Sequence, residues 1–224
     1  IKKNIYSIYK DIVNYYTNNL KKYPEISKYL YDRWLNWDSI TGFSLWYSDS
    51  WLDLYNYLVW KWYDDHLIEE SQVFVDFNTK KDKFIWRVIF PIRNQRWDFI
   101  ALAWRVLWNG MPKYLNSSSS NIYDKSSILY WLFQARNEIT KKDFIIITEW
   151  YMDCISLHQA GFTNTVCVSW TALTEKHIWI IKKLTSKIYL CFDWDWAWLN
   201  ATNLSIEMLK NKDVEVKIIN LWNY

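Results

Sequence analysis

Four acidic side chains fall where strand-like runs stop. The apolar run 144–148 (FIIIT) leads directly into Glu149, and Asp153 follows one helical turn later. The run 187–192 (KIYLCF) leads directly into Asp193 and Asp195. Side chains two apart on an extended chain point the same way, so both aspartates face one crevice and the residue between them turns aside. Carboxylate oxygens are hard donors, and a set of them suits Mg²⁺. One acid at a loop position is ordinary. An acid at each of two strand ends, one of them an Asp-x-Asp, favours a cation site. No comparable case exists for the other metal-binding types. The three cysteines, Cys154, Cys167 and Cys191, contain no CxxC pair and sit in apolar runs, which excludes a disulfide scaffold and a cysteine zinc ribbon. His66, His158 and His177 are scattered and read as structural or surface residues.

The elements that must position these acids follow from periodicity. From 144 onward, strand and helix alternate: strands at 144–148, 165–168, 187–192 and 214–219, helices at 151–160, 174–185 and 198–211. The first helix closes on Gly161 and the second opens on Thr174. A βαβαβαβ order implies a parallel sheet covered on both faces, with chemistry at the carboxyl ends of its strands. The first 140 residues read differently. Helical spacing runs through residues 1–33, broken at Pro24, and a short helix–loop zone covers 35–50. Strands are expected at 73–77, 84–92 and 98–107. A loop at 109–125 contains the serine run Ser117–Ser120. The fold class is therefore α/β: an α+β subdomain over 1–140, then a parallel-sheet subdomain over 141–224.

Composition bounds the rest. The chain has 224 residues, 51% hydrophobic and 23% charged, with a formal net charge of +3. That suits one large or two small globular domains and excludes wholesale disorder. No apolar run approaches the ~18 residues of a membrane span. A mild basic excess permits nucleic-acid binding without arguing for it. One pair of counts is abnormal: 18 tryptophans against 3 glycines. Ordinary glycine usage of about 7% would predict about 16 in this length. The turn at 94–98 shows the consequence, because position 97 wants a residue with φ > 0 and holds tryptophan.

With glycine written for Trp150, Trp170, Trp194 and Trp198, the second half reads EGYMD, SGTALT and CFDGDWAG. It then closely resembles the Toprim domain of the bacterial replicative (DnaG-type) DNA primases. Upstream, RVIFPIR (87–93), WRVLWN (104–109), MPKYLNS (111–117), LYWLFQAR (129–136) and YLYDRWLN (29–36) resemble the same family's catalytic core. The resemblance covers nearly all of 29–200. Toprim motifs alone are shared with topoisomerases and some nucleases, whereas RVIFPIR with PKYLN is far more specific. The resemblance implies synthesis of short RNA primers on single-stranded DNA from NTPs, with Mg²⁺ or Mn²⁺ as cofactor. It assigns Glu149, Asp193 and Asp195 as catalytic metal ligands, supported by Asp153. It offers Arg33, Arg87, Arg93, Arg105, Lys113 and Lys125 as phosphate-gripping cations. It further implies a cytoplasmic, replisome-associated monomer that touches no membrane.

The chain starts at Ile1 and stops at Tyr224 just after an apolar run. It is expected to be cut from a longer protein. The parent would carry a zinc-binding domain before it and a domain that binds the replicative helicase after it. Tryptophan stands at family glycine positions 34, 46, 86, 97, 104, 108, 131, 150, 170, 194 and 198. The reading is that the source decodes UGA as glycine, whereas the written sequence decodes it as tryptophan. Two rivals stand beside the primase reading. One is another Toprim enzyme, a nuclease or phage primase–helicase. The other is a degenerate Toprim module whose indoles are real and bind single strands without metal.

Overall fold

The structure is a computed structural model that describes residues 3–20, 22–49, 53–107, 114–169, 173–192, 209 and 213–219. The chain divides into two compact units, Ile1–Ser118 and Ser119–Tyr224. The compact units part at 118/119, ahead of the 140/141 boundary expected from the sequence pattern. The helix spanning that expected boundary lies within the second unit because its Leu132, Ala135 and Ile139 belong to that unit's core.

The first unit opens with α1 (Ile5–Leu20), α2 (Pro24–Tyr31) and α3 (Trp37–Gly42). Strand β1 (Trp46–Ser48) and helices α4 (Asp53–Trp60) and α5 (Asp65–Glu70) follow. Strands β2 (Arg87–Arg93), β3 (Phe99–Val106) and β4 (Tyr114–Asn116) complete it. The four strands form one antiparallel sheet in the order β1-β2-β3-β4. The apolar stripe of α1 (Ile8, Ile12, Val13, Tyr16 and Leu20) is fully buried, as its 3.6-residue spacing requires. Tyr16 stacks on Trp46 of β1 with ring centroids 4.3 Å apart. Phe84 meets Trp46 and Trp104 edge-on. Buried Asp82 ties these layers together: it accepts from the hydroxyls of Tyr16 and Ser48 and from the N–H of Phe84.

Two expectations change in this unit. Residues 73–77 form no strand, only an isolated bridge between Phe74 and Asp82. The chain reverses too soon: the Asp76 carboxylate accepts from the Asn78 N–H at 2.9 Å, an Asx turn that stops extension. Strand β2 begins at Arg87 rather than 84, because Trp86 adopts φ 62° and breaks the extended run. The three-residue strands β1 and β4 had no periodic signal of their own.

The second unit holds α6 (Leu132–Lys142), β5 (Ile145–Thr148), α7 (Tyr151–Gln159), β6 (Thr165–Cys167), α8 (Glu175–Ile181), β7 (Lys187–Cys191) and β8 (Glu215–Ile218). All its strand pairs are parallel, in the order β6-β5-β7-β8. The alternation along each strand explains the layering. Ile145 and Ile147 of β5, with Ile188 and Leu190 of β7, pack against Leu132, Ala135 and Ile139 of α6 and Ile178 and Ile181 of α8. The opposite face meets α7, where the Cys154 thiol and the His158 ring both reach the carbonyl oxygen of Thr165 in β6. Helix α8 starts on a reciprocal cap: the Thr174 hydroxyl accepts from the His177 N–H, and the His177 ring accepts from the Thr174 N–H. The helix expected at 198–211 lies outside the described residues, apart from Leu209.

Candidate active site

The carboxyl edge of the parallel sheet is built by register. Thr148 ends β5 and pairs with Cys167 of β6 on one side and Cys191 of β7 on the other. Three strands therefore stop at one level. The two central strands, β5 and β7, therefore bring Glu149 and Phe192 to the same edge. Glu149 is 1% exposed. Its carbonyl oxygen accepts from the Cys167 thiol at 3.1 Å, which anchors the backbone of the turn to the neighbouring strand. The Thr148 hydroxyl donates to the Trp150 carbonyl at 3.2 Å and closes the same turn. Helix α7 then begins, with Trp150 at its N-cap and Asp153 in its first turn. An acid there is favoured by the helix dipole.

A carboxylate taken almost wholly out of water is costly unless a cation or hydrogen-bond donors balance it. The oxygens of Glu149 and Asp153 are hard donors at a strand end and an adjoining helix start, and this chemistry fits a divalent cation such as Mg²⁺ or Mn²⁺. Asp193 and Asp195 lie outside the described residues. Among the described residues there is no cluster of three or more potential metal ligands. Burial pushes the Cys154 and Cys167 thiols well above the usual thiol range.

Among the described residues of the first unit, the candidate cations do not form one group. Lys113 lies outside the described residues. Arg105 and Arg87 sit on adjacent strands, where Val88 pairs with Arg105 and Arg87 pairs with Val106. Cross-strand partners share a face and successive residues alternate, so the two guanidinium groups leave opposite faces of the sheet. Arg105 is 4% exposed and lies against the rings of Tyr114, at 4.9 Å, and Tyr29 of α2, at 5.9 Å. Its Nε is buried with no hydrogen-bond partner among the described residues. Arg87 likewise has a buried Nη1 with no partner among them, and burial lowers its pKa. Arg93 donates to the Trp97 carbonyl at 2.7 Å and packs over the rings of Trp97 and Phe99. It clamps its own hairpin. Arg33 is exposed beside Tyr29. Lys125 belongs to the second unit, where partial burial lowers its pKa. Tyr29 and Tyr114 were not singled out from the sequence. Both sit inside the motif segments 29–36 and 111–117, and only the tertiary structure shows them flanking Arg105.

Residues 15–136 match the family model for the DNA primase catalytic core, N-terminal domain, and residues 146–224 match a Toprim-like model. The chain belongs to the DNA primase family. It is 36% identical over 220 residues to a DNA primase of Clostridium acetobutylicum, covering 97% of this chain and 37% of that protein. The crystal structure of Aquifex aeolicus primase, with its zinc-binding and RNA polymerase domains, superposes with a TM-score of 0.87 at 29% identity. That match covers 97% of this chain and 54% of the other. A DnaG primase catalytic domain bound to single-stranded DNA gives a TM-score of 0.82 at 26% identity, covering 96% of this chain and 72% of that one. This primase chain thus spans little more than a third of the curated relative it matches. Its α/β architecture, with an antiparallel-sheet unit followed by a parallel Toprim-like sheet, is that of the primase catalytic core. No helix among the described residues is long and apolar enough to cross a membrane.

Proposed function

We propose that this chain is the catalytic core of a DNA primase that synthesises short RNA primers on single-stranded DNA by divalent-cation-dependent nucleotidyl transfer. The observation that carries the reading is Glu149, a buried carboxylate at the carboxyl end of β5, level with the end of β7. In this reaction a ribonucleotide 3′-hydroxyl attacks the α-phosphorus of the next NTP. The new O3′–P bond forms as the bond to the pyrophosphate oxygen breaks, and the hydroxyl proton passes to solvent. The bound cation supplies neutralisation of charge on the reacting oxygens. Glu149, Asp193 and Asp195 would hold it, with Asp153 completing the acidic edge from the first turn of α7.

The chain's own cations bind and orient the polyanions. Arg105 is the best prepared, since its desolvated guanidinium, held between two tyrosine rings, gains most from an anionic partner. That a related catalytic domain has been solved with single-stranded DNA supports a template strand as that partner. Positioning and electrostatic stabilisation account for most of the acceleration in phosphoryl-type transfer.

The test is template-directed incorporation of labelled NTPs by the protein carrying this chain. Glu149→Gln, which keeps shape and removes charge, is expected to lower incorporation by at least ~100-fold with an unchanged melting temperature. Full activity in that variant would remove Glu149 from the site. Nicking of DNA without NTP incorporation would replace the primase reading with a nuclease one.

A further inference from the structure

Five tryptophans among the described residues occupy the left-handed region of backbone space: Trp34 (φ 65°), Trp62 (63°), Trp86 (62°), Trp97 (71°) and Trp131 (68°). A Cβ in that region crowds the following carbonyl oxygen, and an indole has no short polar group to offset the clash as asparagine or aspartate has. We infer that the natural polypeptide carries glycine at these five positions, each encoded by a UGA codon that the source translates as glycine.

The local geometry at two of them has an internal standard. Helix α7 ends on Gly161 (φ 92°), with Gly161 N–H bonded to the His158 carbonyl and Phe162 N–H bonded to the Leu157 carbonyl. This is the paired closure in which the left-handed residue is usually glycine. Helix α2 closes identically on Trp34: Trp34 N–H bonds to Tyr31 at 2.8 Å and Leu35 N–H to Leu30 at 3.1 Å. Helix α4 does so on Trp62, with bonds from Trp62 to Val59 at 2.9 Å and from Tyr63 to Leu58 at 3.2 Å. The apolar contact that accompanies this motif is supplied by Leu35 and Leu30 at one end and Tyr63 and Leu58 at the other, all buried. The indoles themselves bury little, being 85% exposed at Trp34 and 87% at Trp62. Burial of the indole therefore does not account for tryptophan at either position.

The remaining three follow the same logic. Trp97 closes the hairpin between β2 and β3, bonding through its N–H to the Asn94 carbonyl where the strand register shifts. A left-handed residue at that point of a hairpin is ordinarily glycine. Trp86 turns the chain into β2, and Trp131 turns it into α6. Two buried indoles point the same way: the Nε1 atoms of Trp46 and Trp104 have no hydrogen-bond partner among the described residues. A buried indole N–H is normally satisfied. Position 62 is the informative case, because it is not among the family glycine positions found by resemblance and emerges from φ and hydrogen bonding alone. Tryptophan supplies five of the eleven non-glycine residues with positive φ among the described residues, and no other type occurs there more than twice, a bias that one reassigned codon explains. Independent substitutions would scatter over many types.

The inference does not rest on the primase activity and is tested without it. Tandem mass spectrometry of the protein from its source cells should read glycine at 62 and 131, in the tryptic peptides 62–80 and 126–136. Tryptophan at either position overturns the inference, as does UGG rather than UGA at these codons. The geometric basis has its own check. A recombinant chain carrying Trp34→Gly, Trp62→Gly, Trp86→Gly, Trp97→Gly and Trp131→Gly should melt at a higher temperature than the chain as written. Trp60→Gly and Trp179→Gly, made within helices, should lower it. An unchanged or lowered midpoint for the five-fold variant overturns the inference.

Discussion

Thr148 and Cys191 are partners across two parallel strands. That single register places the ends of β5 and β7 at one level, so Glu149 and Phe192 lie at the same edge. A shift of one residue would turn the apolar side chains of β7 toward the wrong face and move Phe192 relative to Glu149.

The register depends on the core beneath it, so truncation there should be severe. Leu190 of β7 is fully buried among residues from both central strands and two helices. Leu190→Ala is expected to cost about 2–5 kcal/mol in unfolding free energy. Chemical denaturation should show a lowered midpoint with an unchanged slope.

Arg105 should be felt in template affinity and in its salt dependence. Arg105→Leu, which retains an apolar stem between Tyr29 and Tyr114, should weaken single-strand binding. It should also make the plot of log affinity against log salt shallower by about 0.7. Arg105→Lys should recover part of both. Fluorescence anisotropy with a labelled oligonucleotide reads the slope, and an unchanged slope would show that Arg105 touches no phosphate.

Asp82 should make the first unit lose stability as pH rises from acid through neutrality. Burial pushes its carboxyl up to about 8, against the opposing pull of the Phe84 N–H. The folded chain then holds this proton more tightly than the unfolded chain does. Its contribution to stability is greatest in acid and is lost as pH rises from about 4 to about 8. Asp82→Asn should abolish that decline in a series of urea midpoints.

His177 should act in the opposite sense on the second unit. Burial lowers its pKa from 6.5 to about 4, and its ring accepts the Thr174 N–H in the cap of α8. Only the neutral ring can accept there. The stability this group preserves is full above pH 6.5 and falls as pH drops toward 4, because the unfolded chain takes up the proton first. His177→Gln keeps an acceptor in the capping box and should remove the acid sensitivity. Thermal melts between pH 4 and 7 would show it.

The sequence by itself determined the elements whose signal is local. The parallel sheet was legible because FIIIT, TVCV and KIYLCF are largely apolar runs, set between helix starts and stops such as Thr174 and Gly161. The acid at the end of β5 followed from the same runs. So did the strain at Trp97, because a tight hairpin demands a left-handed residue whatever surrounds it. Tertiary structure decided what depends on partners distant in sequence. The strand expected at 73–77 gave way to an Asx turn at Asp76, and the short strands at 46–48 and 114–116 exist only because β2 and β3 offer them hydrogen-bonding edges. Arg105 and Arg87 look alike in sequence, yet strand alternation puts them on opposite faces. Asp82 reads as one more loop acid until Tyr16 and Ser48, 66 and 34 residues away, close over it. The helix closure at Trp62 is of the same kind, since a left-handed residue declares itself through its hydrogen bonds and not through its neighbours in the chain.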